Sequence, residues 1–142
     1  MLKNLLLTAL AAAVAVGAGY ADQSKSPVVI PVPQTTPTSG KQMYVNYCAP
    51  CHGVDARGHG PVAAELKRPP IDLTVLSKNN GGTFPAKHIT AVLEYGSEIP
   101  SHGTAQMPVW GPIFGRMDTS LPGEKMLRIS NLSHFLESIQ VK

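Results

Sequence analysis

Only two cysteines stand in the 142 residues, three apart and followed at once by a histidine: Cys48-Ala49-Pro50-Cys51-His52. Nothing else in the chain narrows its possible folds as sharply. In an exported protein two cysteines would by default pair as a disulfide. Cys-x-x-Cys also serves thioredoxin-like redox pairs, which sit between a strand and a helix in a βαβ unit. The residues before Cys48 read as helix and no strand runs follow, so that context is missing. A zinc site needs further Cys or a paired His, and the chain has no such cluster. With His directly after the second Cys, the run reads as a c-type haem attachment site. Two thiols on one turn can each reach a vinyl group of a flat porphyrin, and the adjacent imidazole then lies beneath the iron. Cys48 and Cys51 are the expected thioether positions of one covalent haem c, and His52 is its first axial ligand.

The stretch from Gly40 through Tyr44 to Cys48, Cys51, His52 and Gly53 resembles the opening of a bacterial class I cytochrome c domain. In that family a Gly and an aromatic four residues later lie on the N-terminal helix, just ahead of the haem motif. The resemblance covers residues 40–142 and implies an all-α fold, with three to five short helices around one covalently bound haem. It implies that Phe135 on the last helix packs against Gly40. It also implies that the Pro61 carbonyl, in Gly58-His59-Gly60-Pro61, accepts a hydrogen bond from Nδ1 of His52. Leu73, in Ile71-Asp72-Leu73-Thr74, is expected at the haem edge.

The sixth iron ligand decides what such a haem does: a thioether raises the potential and suits electron transfer, whereas an empty position suits gas binding or catalysis. Met107 ranks first. Pro108 biases it toward extended backbone, Gly103 and Gly111 on either side let the loop approach the porphyrin, and the family's distal loop carries its axial sulfur in a Met-Pro pair. Met117, also in loop-like sequence, is second, and His102 is third. Met43 lies on the proximal helix, Met126 reads as core and His59 lies in the proximal loop. Trp110 has two readings, core packing or an indole N–H to a haem propionate. Elsewhere, residues 62–67 read as a short helix, Thr83 as the cap of a helix with Ile89, Val92 and Leu93 inward and Gly96 as its stop, and residues 127–141 as the last helix.

At the N-terminus Lys3 is followed by an uncharged run over residues 5–16 and then by Gly19 and Ala21, the pattern of a secretory signal peptide cut after Ala21, with Val16 and Ala18 offering a second cut. The apolar run is shorter than the ~20 residues that span a bilayer; if uncleaved, it would act as a membrane anchor. Residues 1–21 are thus a signal peptide, 22–39 a linker with Pro27, Pro31, Pro33 and Pro37, and 40–142 the cytochrome c domain. A formal charge of +3, with scattered basic residues, gives no footprint for nucleic acid. The sequence therefore predicts a periplasmic one-electron carrier rather than an enzyme. Its partners would be redox proteins such as a dehydrogenase, a reductase or a terminal oxidase, or it would be a subunit of a membrane redox complex. The rival reading is a haem sensor or enzyme with an open distal site. A domain of this size with few large hydrophobes cannot offset its chain entropy without the cofactor. Haem-free protein should therefore give a near-ultraviolet circular dichroism spectrum with little fixed tertiary structure; a native-like, cooperatively melting spectrum would contradict this.

Overall fold

The computed structural model describes residues 32–96, 107–117 and 122–141. The expected signal peptide, the first part of the linker, His102 and Gly103 lie outside these residues. No strand occurs among the described residues, in line with the all-α expectation, and no helix there is long and apolar enough to cross a membrane.

The chain enters its first helix through a well-capped start. The Ser39 hydroxyl accepts from the Gln42 amide at 3.2 Å, and the Gln42 side chain accepts from Thr36 N at 2.8 Å. Helix α1 (Gly40–Met43) runs without interruption through a π turn (Tyr44–Cys48) into α2 (Ala49–His52). A 3-10 turn at Ala63–Glu65 stands where the short helix was expected. A second, Leu73–Val75, leads into α3 (Leu76–Asn79), and α4 (Ala86–Tyr95), α5 (Trp110–Arg116) and α6 (Glu124–Ser138) complete the fold. Pro85 rather than Thr83 is the cap residue of α4, and no side chain caps it. Helix α4 buries Ile89 and Leu93 and stops at Gly96, whose φ of 84° suits glycine.

Helix α6 is the hub, packed on α1, α4 and α5. Its crossing with α1 is as close as the resemblance implied. A Cβ on Gly40 would run into the Asn131 carbonyl and lie 2.8 Å from Phe135 Cβ, and Phe135 packs its ring on Tyr44 at 5.2 Å between centroids. Helix α6 begins three residues earlier than expected and ends earlier. Met126, read as core, is exposed on it, as is His134. Helix α5 was not foreseen at all, because Gly111, Pro112 and Gly115 argue against helix. Yet Pro112 sits in the first turn, where its missing N–H costs nothing. Trp110, Ile113, Phe114 and Met117 recur at i, i+3, i+4 and i+7 as the core-facing stripe. Gly111 serves this packing rather than a loop over porphyrin: a Cβ there would strike the Glu94 backbone carbonyl of α4.

The folded unit starts before Gly40. Residues 33–37 of the expected linker form a strap on the helices. Arg128 donates to the Thr35 hydroxyl at 3.0 Å, Thr35 and the Tyr47 hydroxyl are 2.7 Å apart, and Tyr47 donates to the Pro33 carbonyl at 2.6 Å. Asn131 holds the Pro37 carbonyl at 3.1 Å. Behind the strap, Arg128 (2% exposed) and Glu124 (6%) make a two-point ion pair through Nη2 (2.7 Å) and Nε (3.1 Å). Removing one partner of such a pair strands the other's charge, which costs about 3–5 kcal/mol, whereas replacing both is far milder. Chemical denaturation of the holoprotein should therefore show Glu124→Gln losing more stability than the double variant Glu124→Gln/Arg128→Met. Additive losses would show that the pair is not coupled.

Candidate haem site

The Cys-x-x-Cys-His run falls where the sequence puts it, at the end of the first helical segment. Cys48 closes the π turn, while Cys51 and His52 belong to α2, with Pro50 in the first turn of α2 where no donor is needed. A last helical turn leaves four carbonyls without intrahelical partners, and the following loop satisfies each of them. Gly53 N donates to Ala49 O at 2.9 Å, Val62 N to Pro50 O at 2.9 Å, Gly60 N to Cys51 O at 3.0 Å and Gly58 N to His52 O at 2.7 Å. Such close apposition needs bare backbone. A Cβ on Gly60 would collide with the Ala49 and Pro50 carbonyl oxygens, and one on Gly58 with the Pro70 carbonyl. The Gly-x-Gly-Pro segment is thus a cap for the motif helix.

Two further ties hold the loop. The buried Tyr44 hydroxyl donates to Gly53 O at 2.6 Å, and burial keeps that phenol protonated by raising its pKa above the usual range. Ala56, a non-glycine at φ 62°, presents its carbonyl to Leu73 N at 2.8 Å. Leu73 itself is buried on its 3-10 turn.

His52 differs from expectation in its partner. Its Nδ1 faces the Ile71 carbonyl at 3.2 Å; the acceptor is not Pro61, which is exposed. Since a carbonyl only accepts, Nδ1 carries the proton and Nε2 is left as the ligating nitrogen. Burial lowers the imidazole pKa, with the Ile71 bond working the other way, so the ring is neutral at pH 7, the form that binds iron. The reason for the change of partner lies in Leu73 N bonding to Ala56 O, which draws the 71–73 backbone alongside the motif.

Both cysteines are free thiols. Burial, then the neighbouring Cys51, pushes the Cys48 thiol up to about 12. A disulfide-exchanging pair needs the opposite, a thiol pKa brought down, and no group of three metal-ligating side chains exists among the described residues. Unpaired thiols on one turn, an imidazole with Nε2 free and a glycine-lined backbone cradle fit a covalently attached haem.

The distal candidates sort by burial. Met117 is 6% exposed, with Sδ 3.9 Å from the Tyr47 hydroxyl, and belongs to the core stripe of α5. Met43 is fully buried, its Sδ 4.0 Å from Arg128. Met107 is 39% exposed and lies at a bend three residues before α5. Val109, two residues on, packs against Gly96 at the end of α4. Trp110 is buried, stacked on Tyr47 at 5.1 Å and on Phe114 at 5.6 Å. The structure thus gathers Cys48, Cys51, His52, Leu73 and the Pro61 loop around one turn, and sets Met107 at the head of α5. The Ile71 carbonyl and the Tyr44 tie went unread, although a tyrosine in a buried helix face signals a hydroxyl in need of a partner. Replacing Gly60 by Ala should lift the loop off α2 and cost about 1–3 kcal/mol. Gly115→Ala, whose Cβ would meet only Lys125 Cδ at 3.8 Å, should cost nothing. Denaturant titration of holoprotein followed at the Soret band compares them, and equal midpoints would refute the cradle.

A family model described as cytochrome c oxidase, cbb3-type, subunit III matches residues 35–119. Among solved structures, a chain of the reducing HAO-like protein complex of Kuenenia stuttgartiensis is similar. Its TM-score is 0.51 and its identity 22%, over 80% of this chain and 46% of that one. The present chain therefore spans less than half of that neighbour, and the likeness is one of fold. No curated protein sequence matches. With the family model covering well over half of the chain, this protein belongs to the cbb3-type cytochrome c oxidase subunit III family, and its domain is a c-type cytochrome of class I fold, a haem c module for electron transfer.

Proposed function

We propose that the protein is a periplasmic electron carrier. Its haem c is bound through thioethers at Cys48 and Cys51, with His52 and Met107 as axial ligands. The observation that carries this reading is the sealed motif turn: free thiols, a neutral His52 with Nδ1 engaged, and a loop that satisfies every carbonyl of α2. When bound, the haem supplies a one-electron ferric/ferrous couple. The chain's own residues hold geometry constant. The Ile71 carbonyl fixes the His52 ring, the capped loop fixes the turn that bears it, and Leu73 covers the nearby edge. Constant ligation keeps reorganisation small, which suits one-electron transfer by the domain rather than substrate chemistry. Among the methionines weighed, Met107 alone is both outside the helices and exposed to solvent, which favours it as the sixth ligand.

Residues 1–21 would direct export, or anchor the chain if uncleaved, and the proline-rich residues up to the strap would tether the domain. The partners are redox proteins. The family description, and the membership of the structural neighbour in a complex, favour a second form of the same reading, in which the partner is permanent and the chain is a subunit of a membrane redox complex.

Met107→Ala should lose the weak ferric band near the red end of the visible that marks sulfur ligation, fall in potential and begin to bind carbon monoxide in the ferrous state. Met117→Ala should do none of these. The reverse pattern would move the ligand to Met117. Wild-type protein that binds carbon monoxide rapidly and lacks the band would overturn the carrier reading. A Cys48→Ala/Cys51→Ala variant that still stains for haem on a denaturing gel would overturn covalent attachment.

A further inference from the structure

The acceptor for His52 sits on a short segment that is held by the far end of the chain. Just past α6, Gln140 makes three hydrogen bonds with one side chain. Its Nε2 donates to Leu73 O at 2.7 Å and to Leu136 O at 2.8 Å, and its Oε1 accepts from Ser77 N at 2.9 Å. Beside it, Val141 N donates to Thr74 O at 2.8 Å. From the other side, the Asp72 carboxylate accepts from Thr74 N at 2.8 Å and from the Thr74 hydroxyl at 2.6 Å. The turn over residues 72–75 is thus gripped at both ends, and the peptide that opens it carries the Ile71 carbonyl.

We infer that Gln140 is a positioning residue for the haem ligand: by gripping the Leu73–Ser77 backbone it fixes the direction of the Ile71 carbonyl and so the orientation and basicity of His52. A carbonyl that turns away from Nδ1 leaves a less basic imidazole, which stabilises ferric iron less, and the potential rises. The carbonyl that accepts from a ligating histidine is the kind of partner whose loss commonly costs 10–100-fold in metal affinity or activity, and Gln140 acts on that carbonyl through the adjoining turn. The grip also explains a side chain near the C-terminus that satisfies backbone groups 63–67 residues away in sequence, where a water would otherwise serve.

The inference rests on His52 being the iron ligand, and the test separates the two claims. The full-length holoprotein is compared with Gln140→Ala, with Gln140→Glu and with Lys125→Ala. Gln140→Glu keeps the acceptor for Ser77 but loses both donations. Lys125→Ala cuts a different α6 contact, the 2.8 Å ion pair to Glu94. In Gln140→Ala the ferrous-to-ferric ratio at fixed ambient potential should rise about tenfold, or ~59 mV. The His52 Nδ1 proton, followed by NMR in the ferrous state, should exchange at least about tenfold faster, in line with that outer-shell sensitivity. Gln140→Glu should move both readouts the same way, and it serves alone if Gln140→Ala fails to fold. Lys125→Ala should move neither. Gln140 variants that lose stability but keep the wild-type potential and exchange rate would overturn the inference and leave haem ligation standing. Wild-type holoprotein without a protected His52 Nδ1 proton would overturn the inference through the His52 contact itself. Absence of covalent haem would overturn the reading beneath it as well.

Discussion

A helix that ends in the middle of a protein exposes a row of carbonyl oxygens, and a buried carbonyl without a donor costs about 1–3 kcal/mol. Here the helix that ends is the one bearing Cys48, Cys51 and His52, and the loop over residues 53–62 answers its carbonyls one for one. Much else depends on this match. The loop must be glycine-rich to lie so close. It must be clamped, by Tyr44 at Gly53 and by Leu73 at Ala56, or the four bonds would open together. Its clamping at Ala56 draws in the backbone of residues 71–73, and that delivers the Ile71 carbonyl to His52. The immediate surroundings of the histidine are therefore a consequence of how one helix terminus is satisfied.

The aromatic side of the core performs a separate task. Tyr44 and Tyr47 lie within the same π turn and face different neighbours: Phe135 of α6 for the first, Trp110 and Phe114 of α5 for the second. A π turn admits an extra residue relative to an α-helical turn and so rotates the side chains downstream of it. Cys48, which ends it, inherits that rotation. Packing of α5 and α6 thus bears on the angle at which the first thiol is presented.

Features set by local chemistry were legible in the sequence. The Cys-x-x-Cys-His spacing and the stop of α4 at Gly96 each depend on few residues, or on residues whose type permits one solution, while the close crossing of Gly40 with Phe135 was what the resemblance to class I cytochromes c implied. What escaped depended on three-dimensional satisfaction of polar groups. Pro61 and Ile71 both carry a backbone carbonyl, and nothing in either side chain says which will face Nδ1 of His52. Helix α5 was hidden by Gly111 and Pro112, whose local preferences oppose helix, although its apolar period was there to be read. Met126 showed the converse error: an apolar residue at a helix start that tertiary packing leaves in solvent.

The strap carries a lesson about where a domain begins. A boundary drawn at Gly40, at the first helical residue, looks natural in sequence and in secondary structure. Such a cut would remove the Pro33 carbonyl and the Thr35 hydroxyl, leaving the Tyr47 phenol and one arm of the Arg128 guanidinium facing an empty seat in the interior. Water would have to enter after them, next to Met117 and one residue from Cys48. The edge of this folding unit is drawn by hydrogen-bond debts rather than by helices, and a shortened protein that starts at Gly40 is a different, wetter molecule.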